Sequence, residues 1–500
     1  MNDFYDNKII PSSCYVTTPD LMREAERRAI SEGTTEAELI ERASDKIVEN
    51  LFLIKPELKS IAIVVGGGNN GSDGLSTAIK LTKKGVKCTV FALSCPKNSE
   101  NLRLTEEVES VGLKIMPASV LCGKFDIALD CMFGIGLTRK IDGENAEVVR
   151  MFNALYCVKV AVDVPSGLDA SSGRAFGECV IADYTIALGA IKVGHVLGEG
   201  FNYCGQIRLG DIGVEACPVA QIVDKEMVKI PPRKPVSHKG CFGKISVIGG
   251  SDTMPGAPLM SYESACAASR SGAGLVRLCV GEDEKDAYKS RVLEQTMFYF
   301  PSKDGFIAFS ENKLDEIIEW SDVIAIGMGM GNNPDLPKIL QYLAQNFTKT
   351  LIVDADGLNA LAKDLSVIRG AVCKIVLTPH LGEFARLQLG VGQHELEKIK
   401  EFARQYGVTL ALKSSSTVIT DGEKVYINVT GCPSLAKGGS GDVLAGMISA
   451  FAVNSATALD ATVKACYYFG KCGERVSIKK QSEVSVLASD VIIQQNEIFN

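Results

Sequence analysis

Residues 61–74 read Ile61-Ala62-Ile63-Val64-Val65-Gly66-Gly67-Gly68-Asn69-Asn70-Gly71-Ser72-Asp73-Gly74, and this stretch decides the fold. Five apolar residues, four of them β-branched, run straight into glycine. That is the composition of a short strand buried on both faces. The glycines predict a turn, the spacing after them predicts a helix over 75–84 closed by Gly85, and 87–93 reads as a second strand. Strand, glycine-rich turn, helix and strand make a βαβ unit of a doubly wound parallel sheet, and such sheets bind ligands at that turn. The turn is not the dinucleotide fingerprint GxGxxG. Asn69, Asn70 and Asp73 add side-chain oxygens that a plain pyrophosphate cradle does not require.

Two further strands end in polar residues. Residues 125–129 lead into Asp130 and then Phe133-Gly134-Ile135-Gly136-Leu137-Thr138-Arg139-Lys140. Residues 159–162 lead into Asp163-Val164-Pro165-Ser166-Gly167-Leu168-Asp169. Strand C-termini of a parallel sheet share one edge, so Asn70, Asp130, Asp163 and Ser166 are expected to converge there. Singly, Asp163 is also open to reading as turn chemistry and Asp130 as a helix cap. Asn70, Asp130 and Ser166 offer oxygen alone, which suits a hard cation rather than zinc. Upstream, Thr18-Pro19-Asp20 starts a helix with a capping hydroxyl and proline at the first position.

At 500 residues the chain exceeds what one core usually organises, so two domains are expected. With 46% hydrophobic and 23% charged residues it reads as globular, and a net charge of −7 with no basic block gives no reason to expect nucleic acid. No run approaches 18 apolar residues, and residues 1–13 lack the apolar core of a secretory signal, so no membrane span and no export are expected. The 16 cysteines form no CxxC pair and no zinc cluster, as suits a reducing cytoplasm. Prolines 218, 231, 232 and 235 mark a linker over 216–235, between domains at 1–215 and 236–500.

The second half repeats the logic. Strands are expected at 244–248, 275–280, 323–326, 351–353, 374–377 and 408–412, and a small-residue helix over 259–271 is expected to pack closely against the sheet. Turns follow the strands: Gly327-Met328-Gly329-Met330-Gly331, Asp354-Ala355-Asp356-Gly357, Thr378-Pro379-His380-Leu381-Gly382-Glu383, and Lys413-Ser414-Ser415-Ser416-Thr417. A hairpin is expected at Asp421-Gly422. Lys413 with its hydroxyl neighbours suits phosphate or is a solvated loop. Asp354 and Asp356 suit Mg²⁺ or cap a helix, and His380 alone reads as a turn residue. In Gly438-Gly439-Ser440-Gly441-Asp442 the glycines permit a tight turn before a helix that starts at Val443. Its N–H groups would make an anion site. There Asp442 is either an N-cap or a base working beside a phosphate.

These motifs resemble a known pair of domains. Residues 66–74, Asp130 with Gly134-Ile135-Gly136, and Val162 to Asp169 are similar to the N-terminal domain of the YjeF family, the NAD(P)H-hydrate epimerases, over about residues 10–215. The resemblance implies a Rossmann-like αβα fold and K⁺ ligands at Asn70, Asp130 and Ser166. It implies contacts with hydrated NAD(P)H at Asn69, Asn70, Gly71, Ser72, Asp73, Gly134, Ile135, Gly136, Leu137, Thr138, Arg139, Lys140 and Asp163, with Asp163 as acid/base residue. Ser72 and Ser44 stand where that family usually has glycine, so a side chain is added at a crowded turn.

Residues 236–500, with His238-Lys239-Gly240, Met254-Pro255-Gly256-Ala257, the Asp354 and His380 turns and Gly438 to Gly446, resemble ribokinase-like αβα proteins, specifically the NAD(P)H-hydrate dehydratases of the same family. This implies substrate contacts at Ala257, Gly329, His380 and Asp442. It implies Mg²⁺-nucleotide contacts at Lys413, Ser414, Ser415, Ser416, Thr417 and Gly441, and Asp442 as catalytic base. The resemblance as a whole implies an α/β bifunctional repair enzyme. It would epimerise R- and S-NAD(P)HX and dehydrate the S form with ADP or ATP. A cytoplasmic homo-oligomer is the expectation. The alternative reading is a ribokinase-type small-molecule kinase with a non-catalytic N-terminal binding domain.

Overall fold

The structure, a computed structural model, describes residues 14–252, 257–289, 291–388 and 395–499. Two compact units divide between Gln221 and Ile222.

The first unit contains β1 (Tyr15–Thr17), β2 (Ser60–Val65), β3 (Lys87–Ala92), β4 (Ile115–Pro117), β5 (Ile127–Cys131), β6 (Val158–Val162), β7 (Tyr184–Leu188), β8 (Ile191–Lys192), β9 (Gln206–Gly210) and β10 (Ala220–Ile222). Seven of them form one sheet in the order β4-β3-β2-β5-β6-β7-β9, and every pairing is parallel. The chain winds outward from β2 in one direction and from β5 in the other, so the topological switch point lies between β2 and β5. Side chains alternate across the sheet with period two. Ile61, Ile63 and Val65 enter one core with Ile47 and Leu51, while Ala62 and Val64 enter the other with Phe91 and Phe152. The two helices that precede β2, Pro19–Ser31 and Glu36–Ile54, begin at Thr18 and Thr35, whose side chains accept from Leu21 and Glu38 N–H groups.

The second unit contains β11 (Lys244–Ile248), β12 (Leu275–Gly281), β13 (Thr296–Phe300), β14 (Ser302–Lys303), β15 (Phe306–Ile307), β16 (Val323–Ile326), β17 (Thr350–Val353), β18 (Lys374–Leu377), β19 (Val408–Leu412), β20 (Thr417–Thr420) and β21 (Val425–Asn428). Its sheet runs β13-β12-β11-β16-β17-β18-β19-β20-β21, parallel up to β19 and antiparallel beyond. The switch point here lies between β11 and β16. Helices Ala257–Arg270, Ser440–Asn454 and Ala458–Lys480 cover one face.

Several expectations change. Helix Asn69–Lys83 begins inside the glycine stretch, not after it, and helix Ser440–Asn454 begins before Val443. In both cases glycine is present for closeness. A Cβ on Gly71 would stand 1.8 Å from Gly66 O. The small-residue helix Ala257–Arg270 packs on β11 and β12, as expected, and also closely on helix Ser440–Asn454: a Cβ on Gly446 would stand 2.1 Å from Ser264 O. Within 216–235, Ala220–Ile222 is a strand and Glu226–Val228 a 3-10 turn, and Val228 is fully buried. Residues 254–256 of the Met254-Pro255-Gly256-Ala257 motif lie outside the described residues, while Ala257 opens its helix.

Candidate active sites

In the first unit a cavity of about 560 Å³ opens at the β2/β5 switch point. Asn69, Asn70, Asp73, Gly134, Ile135, Gly136, Leu137, Thr138, Arg139 and Asp163 line it. Three other candidates do not. Gly71 packs against Gly66, and Lys140 lies outside the lining. Ser72 is fully buried, and its hydroxyl accepts from Asn101 Nδ2 at 3.2 Å. The serine at position 72 is therefore accommodated by Asn101 rather than by the ligand space. Ser44 is accommodated likewise, accepting from Ser76 Oγ at 2.9 Å. Helix Asn69–Lys83 points its N-terminus at the cavity, which adds unpaired N–H donors and the positive dipole end.

Asp130, next to last in β5, is fully buried. Ser166 donates to it twice, from Oγ at 2.6 Å and from N at 2.8 Å, and Met132 N donates at 3.1 Å. Burial raises its pKa to about 6 despite those donors. Asn70 has both side-chain atoms buried with no hydrogen-bond partner. Asp163 follows β6 at a φ of 65°, an uncommon conformation for a residue with a Cβ. Its Oδ2 accepts from Ile135 N at 3.2 Å, and Gly134 lies against both Asp163 and Asn70.

Two residues beside Asp163 escaped sequence reasoning. Lys192 Nζ lies 2.5 Å from Asp163 Oδ1, with its side chain 1% exposed. His195 bonds through Nε2 to Asp163 O at 2.8 Å and accepts from Lys192 N through Nδ1, so Nε2 carries the proton. The available signal was a lysine within the apolar run 190–193, just past a strand end. Glu26 also lines the cavity.

In the second unit the strand ends bring Asp354, Lys413 and the Gly441 turn together. Lys413 Nζ pairs with Asp354 Oδ1 at 3.0 Å. A Cβ on Gly441 would stand 3.1 Å from that nitrogen and 3.4 Å from Asp354 Oδ2. Gly439 caps the helix in the left-handed region at φ 87°, which places Asp442 in the first turn. Asp442 makes no side-chain cap, so the N-cap reading is replaced by that of a buried carboxylate facing charge. Burial, then the neighbouring Asp354, raises its pKa to about 7. For Lys413 burial disfavours the charge, but Asp354, Glu383 and Asp442 outweigh it and the pKa is raised. Glu263 adds negative charge near Gly439 and was not foreseen.

The remaining candidates spread along the same edge. His380 caps helix Leu381–Leu387, its Nδ1 accepting from Gly382 N at 2.9 Å, with its side chain 56% exposed. Lys413 N donates to Pro379 O at 2.8 Å, which sets the two loops side by side. Asp356 is used locally: it accepts from Gly331 N at 2.7 Å and bonds Asn359. It thereby braces the turn that holds Gly329 at φ 64°. Ser414 and Ser415 are exposed, Ser416 is buried and Thr417 opens β20.

Fold and sites define a fusion of two doubly wound α/β units, each with polar residues gathered at its strand ends. A family model described as NAD(P)H-hydrate dehydratase matches residues 245–495, and one described as YjeF-related protein N-terminus matches residues 36–194. The bifunctional NAD(P)H-hydrate repair enzyme Nnr of Moorella thermoacetica is 33% identical over 512 residues, covering 96% of this chain and 95% of that protein. The enzyme of the same name from Escherichia coli is 30% identical, covering 96% and 93%. A solved structure of ADP/ATP-dependent NAD(P)H-hydrate dehydratase from Bacillus subtilis is 28% identical over 55% of this chain and 96% of that one, with a TM-score of 0.46. The chain belongs to the family of bifunctional NAD(P)H-hydrate repair enzymes.

Proposed function

We propose that the chain repairs NADH and NADPH hydrated across C5–C6 of the nicotinamide ring. The first unit interconverts the R and S epimers at C6. The second dehydrates the S form with ADP or ATP, releasing AMP or ADP and phosphate. The observation that carries the reading is Asp442: a buried carboxylate in the first turn of a helix, with a pKa near neutrality, beside the Lys413–Asp354 pair. A base of that strength suits removal of a hydroxyl proton at pH 7. The hydroxyl then takes a phosphoryl group, and phosphate leaves as the C6–O bond breaks and C5 gives up a proton. The N–H groups around Gly439, Ser440 and Gly441 stabilise the transferring phosphate, and Lys413 neutralises its charge. Gly329, His380 and the start of the helix at Ala257 border the substrate, while Ser414, Ser415, Ser416 and Thr417 border the nucleotide. Asp354 would hold the Mg²⁺ that arrives with the nucleotide, and the ion would supply further neutralisation of phosphate charge.

In the first unit Asp163 exchanges protons with the hydrate, whose phosphates lie at the N-terminus of helix Asn69–Lys83. Asn70, Asp130 and Ser166 fit a K⁺ ion: Asn70 Oδ1 is buried without a hydrogen-bond partner, and Asp130 is a fully buried carboxyl whose charge burial disfavours. K⁺ there would supply positive charge beside the substrate. The enzyme works as a cytoplasmic homo-oligomer. Mixing the protein with racemic hydrate and each nucleotide, and following dihydronicotinamide absorbance, tests the whole reading. Full conversion is expected. Conversion stopping near half removes the epimerase, and a stable phosphorylated product without restored absorbance replaces the dehydratase by a kinase.

A further inference from the structure

Asp163 is restrained from every side. Its N–H donates to Ile186 O at 2.8 Å and its carbonyl accepts from His195 at 2.8 Å, which together hold the left-handed backbone. Its two carboxylate oxygens take Lys192 Nζ at 2.5 Å and Ile135 N at 3.2 Å. Lys192 is aimed by a second bond, to Leu188 O at 2.7 Å. Burying an ammonium is costly unless its partner returns the energy, and nearly the whole Lys192 side chain is out of water. The groups facing Asp163 explain the need. Helix Pro19–Ser31 brings Glu26, whose pKa is raised by burial and then by Asp163. Helix Asn69–Lys83 brings Asp73, raised well above the usual carboxylate range by burial, then Asp163, then Glu26. His195 is neutral, since burial lowers its pKa to about 4. Arg23 is half-exposed and paired with Asp20. Lys192 is thus the buried cation set among three carboxyls.

We propose that Lys192 is a positioning residue for epimerisation: through its ion pair it fixes the Asp163 carboxylate in one orientation beside the cavity. The proposal rests on the reading that Asp163 exchanges protons with the hydrate. A core lysine without this role would affect folding and substrate binding alike. A positioning lysine affects kcat and acts only through Asp163.

The test uses the full chain with R-hydrate and no nucleotide, so that dehydration is silent, and follows the R/S ratio by chromatography. Lys192→Met is expected to lower kcat by about 100-fold with KM within about twofold. Lys192→Arg, which keeps the charge, is expected to retain about tenfold more activity than Lys192→Met and remains informative if the Met variant does not fold. In an Asp163→Asn background, Lys192→Met is expected to cost less than about threefold, because its partner is already gone. A Lys192→Met enzyme within about threefold of wild type overturns the proposal, as does the same loss with and without Asp163. Wild-type turnover by Asp163→Asn overturns instead the reading on which it rests.

Discussion

Replacing Asp442 by asparagine should stabilise the second unit at high pH while stopping dehydration. The carboxyl's pKa stands at about 7 against an ordinary 3.8. At 1.36 kcal/mol per unit, that opposition amounts to about 4 kcal/mol once the group is forced to ionise. The folded chain holds this proton more tightly than the unfolded chain. Stability therefore falls as pH rises from about 4 to about 7, and is flat above. Asparagine has the same shape and no charge, so its advantage should grow by about 2–3 kcal/mol between pH 5 and pH 8. The chain's one tryptophan, Trp320, ends helix Glu311–Trp320 of this unit with Arg277 stacked 3.9 Å from its ring. Urea titrations followed by its fluorescence report the second unit alone. The same variant should lose 10²–10⁴ in dehydration kcat, an order-of-magnitude figure for a general base. The wild-type rate should rise with pH through about 7, as the carboxyl gives up its proton. A stability gap that stays constant with pH would refute the electrostatic argument. Near wild-type dehydration by Asp442→Asn would remove the base from Asp442.

Two further predictions concern the first unit's proposed K⁺ site and a close contact between two helices. Exchanging K⁺ for tetramethylammonium should slow epimerisation by at least about tenfold and lower the thermal midpoint of the first unit, because the proposed K⁺ would offset the burial of the Asp130 carboxylate and the larger ion would not fit there. Asn70→Ala should abolish the response of that midpoint to K⁺, and an undiminished response would place the ion elsewhere. Gly446→Ala drives a methyl to 2.1 Å from Ser264 O in a backbone contact that has no side chain to yield. Overpacking costs about 1–3 kcal/mol, of which alanine's helix propensity returns up to about 1. The Trp320-detected urea midpoint should fall accordingly, and an unchanged midpoint would show that the two helices separate freely.

What could be read from the sequence follows from where each residue does its work. A parallel strand buried on both faces must be written as an apolar run, so β2, β11, β16 and β18 were visible, and the residues just beyond them were candidates by position alone. Asp130, Asp163, Asp354 and Lys413 were singled out in that way. β7 and β9 were missed because Tyr184, Thr185, Gln206 and Arg208 break the apolar run; Arg208 lies 5.7 Å from the Tyr184 ring, a pairing across the β7–β9 edge that no linear pattern records. Lys192 was missed for a related reason: a charge in an apolar run reads as surface unless its partner is known, and Asp163 lies 29 positions away. The helix starts at Asn69 and Ser440 were misplaced because propensity treats glycine as a helix breaker. At Gly71 and Gly441 the deciding term is instead the approach of a carbonyl or an ammonium too close for a Cβ to fit easily. Local rules therefore located the sheet edges, and the pairings that charge and crowd those edges had to come from the fold.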